Sequence, residues 1–510
     1  MHHSLTPTPE YPASMAGPQQ FRFLNEPGDL GAEGWDNPGR EKLWRYNLHY
    51  FDDLNALASH KRSTWHTALL AEWIRSNPPG QGTGWEPYPT SRRIVNWVKW
   101  ALQREGGDTG LRDSLAIQAR WLSRRLETHI LGNHLFTNAK ALIFAGLFFE
   151  GEEAEEWLKR GLAILRREVP EQILPDGGHF ERSPMYHALA LEDLLDLINL
   201  SRVYPDSIPE TCRHLVEEWD GLVKPMLIWL EAMSHPDGDL AFFNDAAMGI
   251  APTHASLSNY ASRLGFTPLP ASGDRITHLA PSGYVRLTRG PAVAMLDVAP
   301  VGPDYLPGHA HADTLSFELS LFGQRVFVNS GTSCYGTGQQ RLQERGTSAH
   351  NTVVVDNTDS SEVWLGFRVA RRARPVGLVA EDGDSCVVQC SHDGYDRLPG
   401  RVRHTRRWVL DDGRMVIADE LTGRYRAAQA RFHLHPSIRV EATDGDQTTA
   451  TVALVLPAGQ KLRLSTNSRM IGQTPSTWHP EFGVSEPNLC LTMELAGAPL
   501  QTCLTWNSIP

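Results

Sequence analysis

Gly308-His309-Ala310-His311-Ala312-Asp313 runs into an alternating segment, Leu315-Ser316-Phe317-Glu318-Leu319. A second run of the same kind, Arg325-Val326-Phe327-Val328-Asn329, stops at Ser330-Gly331-Thr332. A third starts at Ala349-His350-Asn351 and continues as Thr352-Val353-Val354-Val355-Asp356. β-Rich runs bounded by turn formers predict three strands, each with a His or Asn at one end. On an extended chain His309 and His311 share one face. That pair, Asn329 and His350 can then converge on one ion, with Tyr335 a fifth candidate. The plainer alternative is a set of strand-edge residues satisfying local hydrogen bonds.

Similar signals continue towards the C-terminus. Tyr284-Val285-Arg286-Leu287, Ala292-Val293-Ala294-Met295-Leu296, Arg407-Trp408-Val409-Leu410 and Thr449 to Val455 are separated by Gly, Asp and Asn turns. They predict an antiparallel β-sandwich over 275–510. Upstream the period changes. Ile94, Trp97, Val98 and Ala101 form one helical stripe, Leu142, Ala145, Leu147 and Phe149 another, and Leu191, Leu194, Leu195 and Ile198 a third. Trp121, Trp157 and Trp229 lie within other such helices and read as core.

Four glycine loops punctuate this half, around Gly84, Gly132, Gly178 and Gly238, and each is expected to precede a helix. Their interval of roughly 50 residues suits one antiparallel helix pair per repeat. Stacked pairs over 41–268 predict an incomplete α/α toroid; an open α-solenoid fits the period almost as well. The chain is thus read as α+β multidomain. Residues 1–40 are an N-terminal extension, Phe21 to Asn25 and Trp44 to Phe51 are aromatic-rich lead-ins, and Thr267 to Thr277, with Pro268, Pro270 and Gly273, is the linker.

At 510 residues the chain exceeds one core. A net charge of -11 gives no reason to expect a nucleic-acid partner, but a local Arg/His cluster can still bind an acidic substrate in a cleft. The six cysteines lack paired zinc spacing, and Cys386 and Cys390 should face the same way on one strand without being bonded. No run of about 20 apolar residues predicts a membrane span. Met1 to Gln20 lacks a basic segment followed by an apolar one, so the expected location is cytoplasmic as written, or periplasmic if the N-terminus is truncated. The oligomeric state is left open.

Two further constellations carry chemistry. Asn133-His134 follows a glycine and opens an apolar helix, where amide and imidazole donors can meet a carboxylate; helix capping is the alternative. Tyr186 follows Pro184 on the first turn of the Leu191–Ile198 helix, either as a proton donor or as a packing residue. The neighbouring loops offer Trp85, Glu86, His179, Arg182 and His187 as substrate contacts.

In this order, Gly-Asn-His, Pro-x-Tyr-His after Asp-Gly-Gly, Gly-His-x-His-Ala-Asp, Asn-Ser-Gly-Thr and Ala-His-Asn-Thr-Val-Val-Val-Asp, the chain resembles the heparinase II/III-like polysaccharide lyases, relatives of exo-acting alginate lyases. The match covers most of the chain, and Arg45 to Phe51 looks like a bacterial exopolysaccharide-associated branch. The resemblance implies a toroid joined to a sandwich, a site between them, and β-elimination at uronic acids. It implies that Asn133 and His134 bind the uronate carboxylate. Tyr186 would be the catalytic tyrosine from the toroid, His309 a substrate-facing histidine and Tyr335 a second tyrosine. His311 and His350 match two metal ligands. Asn329 falls where the third is usually an Asp, so the implied divalent ion, zinc or calcium, is weakened or absent.

The residue types suit that reaction. Donors on the carboxylate stabilise the charge that develops as the C5 proton leaves. A phenol can protonate the departing O4, and His309 or His134 is the alternative base. Two other functions compete. One is a glycoside hydrolase using Glu86 or Asp176 with Asp245, which needs two carboxylates flanking the bond. The other is a non-catalytic polysaccharide-binding protein of exopolysaccharide metabolism.

Overall fold

The computed structural model describes residues 4–104, 109–267, 273, 275–445 and 449–507. Most of the expected linker, including Pro268 and Pro270, lies outside them. Two compact units emerge. The first comprises 1–173, 188–227 and 255–268, and the second 174–187, 228–254 and 269–510.

The first unit is an incomplete α/α toroid. Its helices include Lys42–Tyr50, Ser63–Ser76, Pro87–Leu102, Thr109–Ser123, Gly132–Phe148 and Glu152–Gln172. The expected stripe on Pro87–Leu102 is the buried one, with Ile94, Trp97 and Val98 fully enclosed. The Gly132–Phe148 and Glu152–Gln172 helices touch at two glycines. A Cβ on Gly161 would lie 2.8 Å from the Ala139 carbonyl oxygen, and one on Gly146 2.7 Å from that of Ala154. Only glycine lets the two backbones come this close.

Residues 4–40 belong to this unit rather than forming an extension. Thr6 and Asn199 exchange two hydrogen bonds, of 3.1 and 2.8 Å. Asp53 accepts from the Ser14 and Met15 amides at 2.7 and 2.9 Å. The first aromatic lead-in is a hairpin, Gln20–Phe23 against Glu26–Asp29, turning through Leu24 and Asn25 at φ 53° and 62°.

The second unit is an antiparallel sandwich built from sheets of eight, five and four strands. The five-stranded sheet runs Ile276–Leu279, Tyr284–Arg289, Ala292–Asp297, Phe317–Leu321, Gln324–Phe327 in spatial as in chain order. The four-stranded sheet places Val353–Val355 at its edge against Ala428–His433. Strand Cys386–His392 alternates strictly, burying Cys386, Val388, Cys390 and His392 on one face. One apolar cluster joins Phe317, Phe327, Val353 and Trp408 to Phe432 and Leu491.

Two expectations change here. The Asp237-Gly238-Asp239 loop precedes no helix until His254–Arg263; it is a tight turn whose Asp237 carboxylate pairs with Arg325 at 2.6 Å. The stretch 174–187, with Tyr186 at its end, groups with the sheets and not with the toroid.

The glycine contact gives a test. Alanine ordinarily favours a helix interior over glycine by about 1 kcal/mol. Gly161→Ala should nevertheless destabilise the protein, by roughly 1–3 kcal/mol, because a backbone oxygen cannot rotate away. Urea denaturation showing a stabilised variant would disprove the close approach.

Candidate active site

Pro184 opens the Pro184–Val203 helix, and Ser183 caps it by accepting the Tyr186 amide proton at 3.2 Å. That cap places Tyr186 on the first turn. Its ring stacks on His309 with centroids 4.1 Å apart and planes 15° apart. The Tyr186 and Tyr335 hydroxyls lie 2.7 Å from each other. His309 donates from Nδ1 to Glu181, whose side chain is 2% exposed against 16% for His309. This bond fixes the tautomer and leaves Nε2 as the acceptor nitrogen. Burial, then Tyr335 and Asp245, hold the Tyr186 phenol well above the usual phenol range, so it stays protonated. Burial pushes the Glu181 carboxyl up, yet His309 holds it below the ordinary range.

Behind this group sits Asp245, fully buried. It is chelated by Arg341, bonded by His311 Nε2 at 2.8 Å, and its amide donates to the His309 carbonyl at 2.9 Å. Burial would raise its carboxyl, but Arg341 and then His311 hold it far below the carboxylate range.

His309 and His311 do not share a face. The segment 307–315 is loop rather than strand, and the two imidazoles answer different carboxylates, Glu181 and Asp245. His311 turns instead to His350, ring centroids 5.3 Å apart. One ligand atom each from His311, Asp313 and His350 lie within 4.8 Å of one another, a candidate metal-binding triad. His311 Nδ1 and both His350 ring nitrogens have no hydrogen-bond partner among the described residues, although all are buried. Burial keeps the His350 imidazole neutral, the form a metal needs. Asn329 does not complete this set. Its Nδ2 donates to the Phe242 carbonyl at 3.0 Å and its Oδ1 accepts the Asn351 amide at 3.1 Å. Asp313 supplies the carboxylate, so the departure at Asn329 does not remove it.

In the helical unit, Asn133 and His134 occupy the first turn of Gly132–Phe148, after Leu131 and Gly132 at φ 63° and 56°. His134 Nδ1 meets Glu127 at 2.9 Å, and its ring lies 4.6 Å from that of Tyr88. Asn138 holds the other Glu127 oxygen at 3.0 Å.

The remaining sequence candidates divide. Trp85 is buried and donates to the Asn77 carbonyl at 3.1 Å, which makes it core rather than a sugar contact. His187 is buried too, its ring 4.3 Å from Trp229 and its Nδ1 accepting the His179 amide. Burial lowers His179 to about 4. Arg182, at φ 57°, donates to the Ser282 carbonyl at 2.9 Å. Glu86 stays half-buried with Tyr46 and Lys42. Sequence reasoning missed Glu181, Asp313, Arg341 and Glu127 as partners. Glu181 and Asp313 each lie two residues from a chosen histidine, which was the available signal.

Residues 55–268 match the family described as Heparinase II/III N-terminus, and residues 272–506 the one described as Heparinase II/III-like, C-terminal. The chain belongs to the heparinase II/III-like family. A heparin-sulfate lyase of Bacteroides stercoris is 26% identical over 344 residues, covering 63% of this heparinase II/III-like chain and 48% of that one. FtsZ-localized protein C of Caulobacter vibrioides is 26% identical over 457 residues, 82% of this chain and 74% of that one. A crystal structure of heparinase III superposes with a TM-score of 0.70 at 20% identity, covering 91% and 76% of the two chains, a likeness of fold. The chain spans about half the length of the heparin-sulfate lyases it matches.

Asp245→Asn leaves the Arg341 guanidinium buried without its counter-charge. It should cost roughly 3–5 kcal/mol of stability. Unchanged urea unfolding of the variant would show that the pair is not needed.

Proposed function

We propose that this protein is a polysaccharide lyase cleaving a uronic-acid-containing polysaccharide by β-elimination, leaving a 4,5-unsaturated uronate. One observation carries the reading: an imidazole tautomerised by a buried carboxylate, stacked on a protonated phenol that is hydrogen-bonded to a second phenol. His309 Nε2 takes the C5 proton. The C5 electron pair forms the C4–C5 double bond as the C4–O4 bond breaks, and the Tyr186 hydroxyl protonates O4. Tyr335 donates to the Tyr186 oxygen once its proton has left, and the cycle closes when the proton taken by His309 returns to that phenolate. Asn133 and His134 are assigned to the uronate carboxylate, where donors stabilise the developing charge. That role rests on their place in the motif order.

The hydrolase reading loses its carboxylates. Asp245 is clamped by Arg341 and His311, and Asp176 accepts from the Gly178 amide and from both Ser282 donors. A second reading is a glycan-binding protein that cleaves nothing. It is favoured by the match to FtsZ-localized protein C, longer than that to the lyase and under a name that carries no lyase activity.

The ion assigned to His311, Asp313 and His350 is zinc, since two imidazoles and one carboxylate suit it and calcium prefers oxygen ligands throughout. Zinc held there would neutralise the buried carboxylate and cross-link two loops, the 307–315 segment and the one carrying His350. Elemental analysis of protein purified without chelator should find about one zinc per chain, and chelation should lower the melting temperature. Absence of metal together with chelator-insensitive melting would refute the assignment.

The activity test is digestion of a panel of uronate polysaccharides, followed by product mass spectrometry and by the ultraviolet absorbance of the conjugated double bond. Tyr186→Phe keeps the ring and should lower kcat by roughly 10²–10⁴-fold while substrate still binds. Near wild-type turnover would remove Tyr186 from the reaction. Binding to the panel with no unsaturated product from any polymer would leave the second reading standing.

A further inference from the structure

Residues Val363–Trp364 pair with Arg368–Val369 in an isolated hairpin. Its register sets Val363 opposite Val369 and Trp364 opposite Arg368. Directly opposed side chains project from the same face, so the hairpin has two unlike sides. The valines pack on Val301 and Ala310, the residue after His309. Trp364 and Arg368 point the other way, and both are exposed, Trp364 to 49%. Among the described residues the Arg368 guanidinium has no acidic partner.

An exposed tryptophan on a two-residue ladder should be floppy, yet this hairpin is fastened from beneath. Arg345 donates to the carbonyls of Leu365, Gly366 and Arg368 at 3.1, 3.0 and 3.3 Å, and Arg341 adds a bond to Gly366 at 3.1 Å. Both arginines are fully buried. A Cβ on Gly366 would lie 2.1 Å from the Gly336 oxygen, so the turn sits flush on the loop that carries Tyr335. Phe367, on the same turn, reaches the proton-transfer group, its ring 6.1 Å from His309 and 5.3 Å from Tyr335.

We infer that this hairpin is a subsite for the acidic glycan next to the cleaved bond, with Trp364 stacking on the apolar face of a sugar ring and Arg368 pairing with its carboxylate. The inference rests on the proposed lyase reading for the identity of the chain it holds. A ring and a guanidinium side by side match a uronate, which offers axial C–H groups on one face and a carboxylate at its edge. The buried arginines present both side chains already ordered, which lowers the entropy lost on binding.

The test is calorimetric titration of the full chain carrying Tyr186→Phe, so that nothing is consumed, with size-defined glucuronate- and guluronate-containing oligosaccharides. Neutral gluco-oligosaccharides of equal length serve as the control. Trp364→Ala and Arg368→Ala, added singly, should each weaken uronate binding roughly 3- to 10-fold, and the neutral series should bind more weakly throughout. Both sites are exposed, so the melting temperature should hold. Equal affinity of all three proteins overturns the subsite, as does equal affinity for neutral and acidic chains. Self-association that is lost in Trp364→Ala would make the hairpin a protein contact instead. The lyase reading fails separately, if the chain with Tyr186 intact forms no unsaturated product while these affinities still differ.

Discussion

The buried pair of Asp245 and Arg341 holds the second unit's functional region in register. Asp245 is fully enclosed, and its carboxylate takes Arg341, His311 Nε2 and, at 3.4 Å, the Thr332 hydroxyl. Its backbone carbonyl accepts from Ser183, the cap of the Tyr186 helix, and its amide reaches the His309 carbonyl. One residue therefore ties the tyrosine, both histidines and, through Arg341, the exposed hairpin. Two opposite charges buried together gain little net stability over apolar residues of the same volume. What they supply is geometry, because each remaining lone pair must point at one donor.

The same logic explains how histidines two apart do different work. Glu181 holds His309 through Nδ1 and leaves Nε2 outward; Asp245 holds His311 through Nε2 and leaves Nδ1 inward. One imidazole is partly exposed and stacked on a phenol, the other sealed beside His350. A carboxylate behind each ring decides which nitrogen is offered and to what.

Local pattern revealed what local pattern can encode. The change from helical to alternating periodicity near residue 270 marks where the strands begin, although 174–187 and 228–254 already group with the sheets, and the motif order carries the family. The misreadings share a cause. Asn329 passed for a ligand because its neighbours are strand and turn, whereas its amide serves Phe242, 87 residues away. Glu181 lies 128 residues from His309, and Asp245 96 from Arg341. No periodicity links such pairs. Trp85 looked like a sugar contact because it sits in a glycine loop, yet Asn77 and the surrounding indoles claim it. The His309–His311 face failed for a narrower reason: alternation holds only along a strand, and the strand begins at Phe317.

On the elimination reading, one cycle moves one proton into the site and another out of it. After the bond breaks, the imidazole is protonated and the phenol is not, an ion pair at stacking distance. Glu181 favours the imidazolium, since a carboxylate on Nδ1 stabilises the charge that Nε2 receives. Tyr335 favours the phenolate, donating to it across 2.7 Å in place of the bond it shared before. The two partners thus stabilise opposite halves of the state that follows bond cleavage. Neither half survives in the resting site, where burial holds Tyr186 protonated. On that reading Glu181 and Tyr335 are each bonded to the group whose charge they would balance, and the stacked pair carries both proton transfers.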